Sequence, residues 1–269
     1  MKEYSQGMHD ISNDDYHASR ALSNSGLKLF IECPYKYYWK YISGLAEPEN
    51  KTPSLIMGSV VHTLTLEPHL FDDEYALEPT DINKRTKVGK IEYDYFLQEN
   101  EGKTILSQDI FKQATKMANS IKACELASDL IPDAKYEQSI FFKDNATGVM
   151  LKARPDILHS HIIVDLKTTA DASYSAFQRS MIKFGYCSQA AFIQRAIQSL
   201  GEDFEKYAFI VVENKEPYCV AVYTLDEEAI NYGHNLMDAY LPQFAQCIKT
   251  EKWPGYPFDN LLLPSWVSI

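Results

Sequence analysis

Cysteine is scarce in this chain and scattered. Cys33, Cys124, Cys187, Cys219 and Cys247 stand far apart with no CxxC pair. Neither a disulfide framework nor a zinc or iron–sulfur centre built from them alone is expected. Long apolar runs are missing too, and nothing approaches the roughly 20 residues a membrane span needs. Positive charge is in deficit: 26 Lys and Arg against 37 Asp and Glu leave a net charge of −11. That excludes a whole-chain basic signature for nucleic acid, so an anionic partner must meet a local patch or bridging metal ions. The opening segment, MKEYSQGMHDISNDDYH, lacks the apolar core of a signal peptide, and a cytoplasmic location is expected. No repeat, low-complexity tract or Gly/Ser/Pro-rich linker divides the sequence.

What remains is ordinary globular composition. Of 269 residues, 45% are hydrophobic and 13% aromatic, enough for a substantial core. The chain reads as one domain over 1–269. A polar arm covers 1–20, a mainly helical region 21–130, a core 131–250 and an irregular tail 251–269.

Apolar positions Leu27, Phe30, Ile31, Tyr35, Tyr38 and Trp39 recur at helical spacing, with Pro34 set to kink or split the stretch. Residues 55–66 predict a second helix that places Gly58 and His62 on one face. Residues 78–90, rich in Lys and Arg, read as a loop, followed by helices at about 91–100 and 107–126. The period then shortens. Residues 136–143, 149–158 and 162–168 predict three consecutive antiparallel strands, the first two joined by the turn DNATG. A long helix at about 173–200, strands at 207–213 and 218–224, and a helix at 226–249 complete an α/β pattern on one sheet.

The chemistry concentrates in Arg154-Pro155-Asp156 and Val164-Asp165-Leu166-Lys167. Asp165 and Lys167, two apart on a strand, share a face, and the hairpin brings Asp156 beside them. Two carboxylates and an ammonium at one point suit a hard divalent cation such as Mg²⁺ and a phosphate-bearing substrate. A bare D-x₈-D-x-K pattern also fits an ion pair on a solvated strand face. The apolar run Ile162, Ile163, Val164 argues that the strand is buried, and Pro155 marks an irregularity at a strand end. The basic residues Lys84, Arg85, Lys87 and Lys90 form the best local patch for phosphates, or else a solvated loop. His159 and His161 flank the tight connection between strands and read as a plain turn.

These segments resemble the PD-(D/E)xK nuclease superfamily, with Asp156 as the motif Asp and Asp165-Leu166-Lys167 as the (D/E)xK element. More closely the chain resembles RecE-like (exonuclease VIII type) double-strand DNA exonucleases. The resemblance is carried by GMHDISNDDYHAS, MGSVVH, RPD, VDLKTTAD, EKWP and LPSW, spread from residue 7 to residue 266. It implies a nuclease core with a central mixed sheet, an antiparallel catalytic hairpin flanked by helices, and an N-terminal helical region.

It also implies roles. His62, Asp156, Asp165 and the Leu166 carbonyl would hold Mg²⁺, with Mn²⁺ able to substitute, and Lys167 would position the attacking water. Glu137 would sit close to the metal, although alone it reads equally as an exposed strand carboxylate. Gln189 matches a glutamine that helps place Lys167 or the substrate. The tyrosine that often follows four residues later in relatives is replaced here by Ile193. Residues 22–39 resemble an element of RecB-like nucleases, some of which use its cysteine in an iron–sulfur cluster. No C-terminal cysteine cluster follows Cys33, so none is expected and Cys33 reads as a packed thiol.

The implied activity is 5′-to-3′ degradation of linear duplex DNA, leaving 3′ single strands for recombination by annealing. The Lys84, Arg85, Lys87, Lys90 segment would receive the 5′-phosphate. A homotetrameric ring acting on duplex ends and a RecT-type single-strand annealing partner are implied as well. The residues themselves leave open an endonuclease or single-strand nuclease on the same scaffold, or a non-catalytic DNA-binding module.

Overall fold

The computed structural model describes residues 2–47 and 52–257. It opens with β1 (Gly7–His9) and α1 (Asn13–Ala18). Pro34 divides the aromatic stretch into α2 (Asn24–Glu32) and α3 (Pro34–Tyr41); proline suits a first helical position, where its missing N–H would lack a partner anyway. There follow α4 (Pro53–Leu66), α5 (Phe71–Glu74), β2 (Tyr75–Leu77), α6 (Lys87–Glu99), β3 (Thr104–Leu106), α7 (Gln108–Ala123) and α8 (Glu125–Ser128). The remainder is β4 (Lys135–Tyr136), β5 (Ser139–Lys143), β6 (Met150–Ala153), β7 (Ile157–Leu158), β8 (Ile162–Thr169), α9 (Tyr174–Phe184), α10 (Tyr186–Ser199), β9 (Lys206–Glu213), β10 (Val220–Thr224) and α11 (Glu227–Thr250).

A mixed five-stranded sheet in the order β10-β9-β8-β7-β4 forms the centre. β8 and β9 run parallel, joined through α9 and α10, and the other pairs are antiparallel. Strand periodicity sorts their side chains onto two faces. Ile163, Tyr207, Phe209 and Val211 pack with residues of α2, α10 and α11. Val164, Leu166, Ala208, Ile210 and Val212 pack with residues of α4 and α7. Helices thus cover both faces, the arrangement a parallel strand pair requires. Asp165 and Lys167 share the face of Ile163, and Asp165 is wholly buried there.

Several expectations need correction. The arm is not merely polar: β1 adds to β5 and β6 as a second, three-stranded sheet, and Tyr16 is buried beneath it. The predicted strands 136–143 and 149–158 each break, so β4 and β7 join the central sheet while β5 and β6 join the smaller one. The predicted helix 173–200 divides at Gly185, whose φ of 72° is the left-handed conformation that ends helices and favours glycine. Lys87 and Lys90 do not lie in a loop. Thr86 caps α6 by accepting the Gly89 N–H at 3.0 Å, and both lysines ride on the helix. Of the tail, EKWP is described, and Trp253 stacks on Tyr37 and Tyr38; LPSW lies outside the described residues.

Candidate metal and catalytic site

The site forms where the ladder between β7 and β8 stops. Ile157 pairs with Val164 and Leu158 with Ile163, and the His159 N–H bonds the Ile162 carbonyl at 3.1 Å. Hydrogen-bonded pairs alternate along an antiparallel ladder, so the next would set Pro155 opposite Leu166. Proline has no N–H to give. The Leu166 carbonyl, left without that donor, lies 2.7 Å from His62 Nε2, and the Leu166 N–H donates to Asp156 Oδ2 at 2.8 Å. His62 reaches this point from α4, which packs on the Leu166 face of the sheet.

Glu137 enters from the other half of the hairpin. Tyr136 pairs with Ile157 and Ile140 with Ala153, so one register spans the break. Between them Glu137 adopts φ 48°, a left-handed conformation costly for a residue with a side chain and common at functional sites. Its N–H bonds the Asp156 carbonyl at 3.1 Å. Its Oε1 lies 3.8 Å from His62 Nδ1, which is 3.6 Å from Asp156 Oδ2. Ligand atoms of His62, Glu137 and Asp156 all fall within 4.8 Å of one another.

Asp165 and Lys167 stand beside this cluster. Asp165 Oδ1 accepts from Gln189 Nε2 at 2.6 Å, and Oδ2 lies 2.5 Å from Lys167 Nζ. The buried Asp165 carboxylate also faces the Tyr207 hydroxyl. Lys167 Nζ also sits 4.8 Å from the centre of the Tyr186 ring.

The electrostatics follow from burial. Burial, then the charge of Asp165, raises the Asp156 carboxyl to about 7. Burial disfavours protonation of His62, but Asp156 and Glu137 outweigh it and lift the imidazole to about 9. Burial likewise opposes the charge on Lys167, yet Asp165 and Asp156 hold its pKa above the usual lysine value. Burial alone would raise Glu137; His62 and Arg154 instead hold it below the usual range. The buried Asp156 and Asp165 and the half-buried Glu137 therefore depend on a protonated imidazole, a lysine and an arginine for compensation. Two carboxylates and an imidazole whose ligand atoms lie within 4.8 Å of one another fit a divalent cation.

The structure brings His62, Glu137, Asp156, Asp165, the Leu166 carbonyl, Lys167 and Gln189 together. It treats the basic segment differently: Lys84 pairs with Glu78 and lies over the Tyr93 ring at 4.5 Å. Sequence reasoning named Arg154 in its motif but gave it no role; its Nε donates to Glu137 Oε2 at 2.9 Å and its Nη1 reaches Ser139 Oγ at 3.1 Å. Its position two residues before Asp156 was the available signal. Tyr207, whose buried hydroxyl faces Asp165, left none. His159 bonds the Leu130 carbonyl at 3.0 Å, a structural contact at the turn.

A mixed sheet flanked by helices, with acidic residues and a lysine at the break of a hairpin, defines a PDDEXK-like fold. Residues 23–257 match the family described as "PDDEXK-like domain of unknown function (DUF3799)", and the chain belongs to that family. Among solved structures, a protein from Eubacterium rectale described as a "Putative exonuclease" is similar over 97% of both chains, with a TM-score of 0.64 and 16% identity. This is likeness of fold. The structure of SSO0001 aligns over 67% of this chain and 85% of its own, with 16% identity and a TM-score of 0.27, too low to carry an argument. No curated protein matches the chain. No helix among the described residues is long and apolar enough to cross a membrane.

Proposed function

We propose that the protein is a Mg²⁺-dependent nuclease that degrades linear duplex DNA from 5′ ends and leaves 3′ single strands for annealing. One observation carries the nuclease reading: Asp156, Glu137 and His62 converge at the ladder break, beside Asp165 and Lys167, on a PDDEXK-like fold. The exonuclease polarity, a homotetrameric ring and a RecT-type annealing partner are supported by the sequence resemblance.

His62, Asp156, Glu137, Asp165 and the Leu166 carbonyl would hold the cation. When bound, it supplies positive charge to the phosphoryl oxygens. Lys167, kept as an ammonium by Asp165 and Asp156, is a donor rather than a base. It can orient the attacking water and neutralise charge growing on phosphorus-bound oxygen. Gln189 holds Asp165 in place, and Arg154 does the same for Glu137.

The test is cleavage with Mg²⁺ of linear duplex labelled at either the 5′ or the 3′ end, alongside closed circular duplex. Early release of the 5′ label with circles intact supports the full reading. Early release of the 3′ label reverses the polarity, and cut circles make the protein an endonuclease. No cleavage with Mg²⁺ or Mn²⁺ removes the nuclease reading.

A further inference from the structure

Phe184 is the last residue of α9 and is 47% exposed. Such an aromatic is unusual beside a charged site, and its neighbours are specific. Its ring centre lies 5.9 Å from that of Tyr186, and Tyr186 is the ring beneath the Lys167 ammonium. Two aromatic side chains thus lead from Lys167 to the surface. At the outer end two ammonium groups meet Phe184: Lys28 Nζ at 5.6 Å and Lys183 Nζ at 5.3 Å from its ring centre. Lys28 belongs to α2 and its Nζ donates to the Lys183 carbonyl at 3.0 Å. Among the described residues neither lysine forms an ion pair with a carboxylate.

The junction is held in place from below. Asn24 Nδ2 donates to the Gly185 carbonyl at 3.4 Å, and Ser188 Oγ donates to Asn24 Oδ1 at 2.7 Å. The start of α2 is thereby tied to the turn between α9 and α10. A β-carbon on Gly185 would lie 3.6 Å from Lys28 Cδ, so the lysine stem runs along this turn.

We infer that Phe184, Lys28 and Lys183 form a subsite for an unpaired nucleic-acid strand next to the hydrolytic centre. A base stacks on the Phe184 ring while the two ammonium groups move from the ring to the flanking phosphates. Both interactions are of kinds that bind single strands without regard to sequence. A base pair inside a duplex is covered on both faces by its neighbours, so a base stacked on Phe184 with its flanking phosphates on the two lysines belongs to an unpaired strand. This deepens the proposed nuclease function and rests on it for its purpose. It also supplies local positive charge on a chain whose net charge is −11.

The experiment is fluorescence anisotropy in EDTA, so that binding is read without hydrolysis. The probes are a fluorescein-labelled 12-nucleotide DNA strand and an all-abasic strand of the same length. Phe184→Ala is expected to weaken binding of the ordinary strand about tenfold and to leave the abasic strand unaffected. Phe184→Trp restores affinity, whereas Phe184→Leu, which keeps an apolar side chain, does not. Lys28→Gln with Lys183→Gln lowers the salt dependence by about 0.7 in log–log slope per lysine. Equal affinity of wild type and Phe184→Ala for the ordinary strand overturns the subsite, as does an equal loss on both strands. A change in sedimentation with unchanged DNA binding also overturns it, assigning Phe184 to contact between copies. Wild type that binds through Phe184 but cleaves nothing keeps the subsite and removes the nuclease reading. Wild type that cleaves while Phe184→Ala binds normally does the reverse.

Discussion

Asp156 occupies the place of a missing ladder partner of Leu166: its Oδ2 takes the Leu166 N–H at 2.8 Å. The same interruption leaves the Leu166 carbonyl to His62. Main-chain groups that a continuous β-strand would have consumed are turned toward a cluster of acidic side chains. For the carbonyl the cause is covalent and local, because Pro155 falls opposite Leu166 and has no hydrogen to donate.

Pro155→Ala tests that cause. The alanine N–H can bond the Leu166 carbonyl in register and compete with His62. Metal affinity is expected to fall about tenfold, as when a group that orients a ligand is lost, with stability unchanged or slightly improved. A Mg²⁺ titration of cleavage with urea unfolding beside it reads both. Identical Mg²⁺ dependence would mean that proline is dispensable for the geometry.

Asp165 and Lys167 form a buried ion pair, and Asp165 has no exposed surface. Lys167→Met leaves that carboxylate uncompensated and should destabilise the fold by about 3–5 kcal/mol. Asp165→Asn combined with Lys167→Met should recover most of the loss while remaining inactive. Urea denaturation of the singles and the double gives the cycle. Additive losses would show that the two residues do not depend on each other.

Metal must displace protons from this site. Asp156 is held near 7 and His62 near 9 without metal, and ligands bind metal only when deprotonated. Apparent Mn²⁺ affinity should therefore rise with pH between about 6 and 9. His62→Gln should flatten the upper part of that rise. Calorimetric titration across the range checks it, and a pH-independent affinity would count against His62 as a ligand.

A separate pH effect belongs to the N-terminal arm. Lys152 is buried and, among the described residues, has no carboxylate ion-pair partner; its Nζ donates to the Tyr16 carbonyl at 2.6 Å and to Ser19 Oγ at 3.0 Å. Burial lowers its pKa to about 8 from 10.5. Between those values the unfolded chain binds the extra proton, so stability rises with pH through that window. Below about 8 both states are protonated and the cost of burying the ammonium is fully present. Urea midpoints from pH 7.5 to 9.5 should rise for wild type relative to Lys152→Met. Parallel pH curves would remove Lys152 as the cause.

The alternation of Ile162–Lys167, the hairpin turn at Asn145-Ala146-Thr147-Gly148 and the pairing of Asp156 with Asp165 and Lys167 were legible in the sequence, because each depends on near neighbours. The split of the hairpin between two sheets was not. It needs the register of β7 on β8, which sets Pro155 against Leu166. Glu137 was placed near the metal by resemblance, but from the residue alone it read equally as an exposed strand carboxylate, and its left-handed backbone at the break was not legible. The helical start of α6 was hidden by its charges, although Thr86 with Gly89 was a capping signal. There the glycine is required, since a β-carbon would meet the Asn83 carbonyl oxygen at 2.1 Å. Gly185 was similarly passed over as the end of α9.

The most direct measurement is Mn²⁺ binding followed by electron paramagnetic resonance, comparing wild type with Asp156→Asn. The expected result is a tight site in wild type, lost or weakened at least tenfold in the variant, whose circular dichroism is unchanged. Equal binding by both proteins would contradict a metal site at the Asp156–Leu166 break.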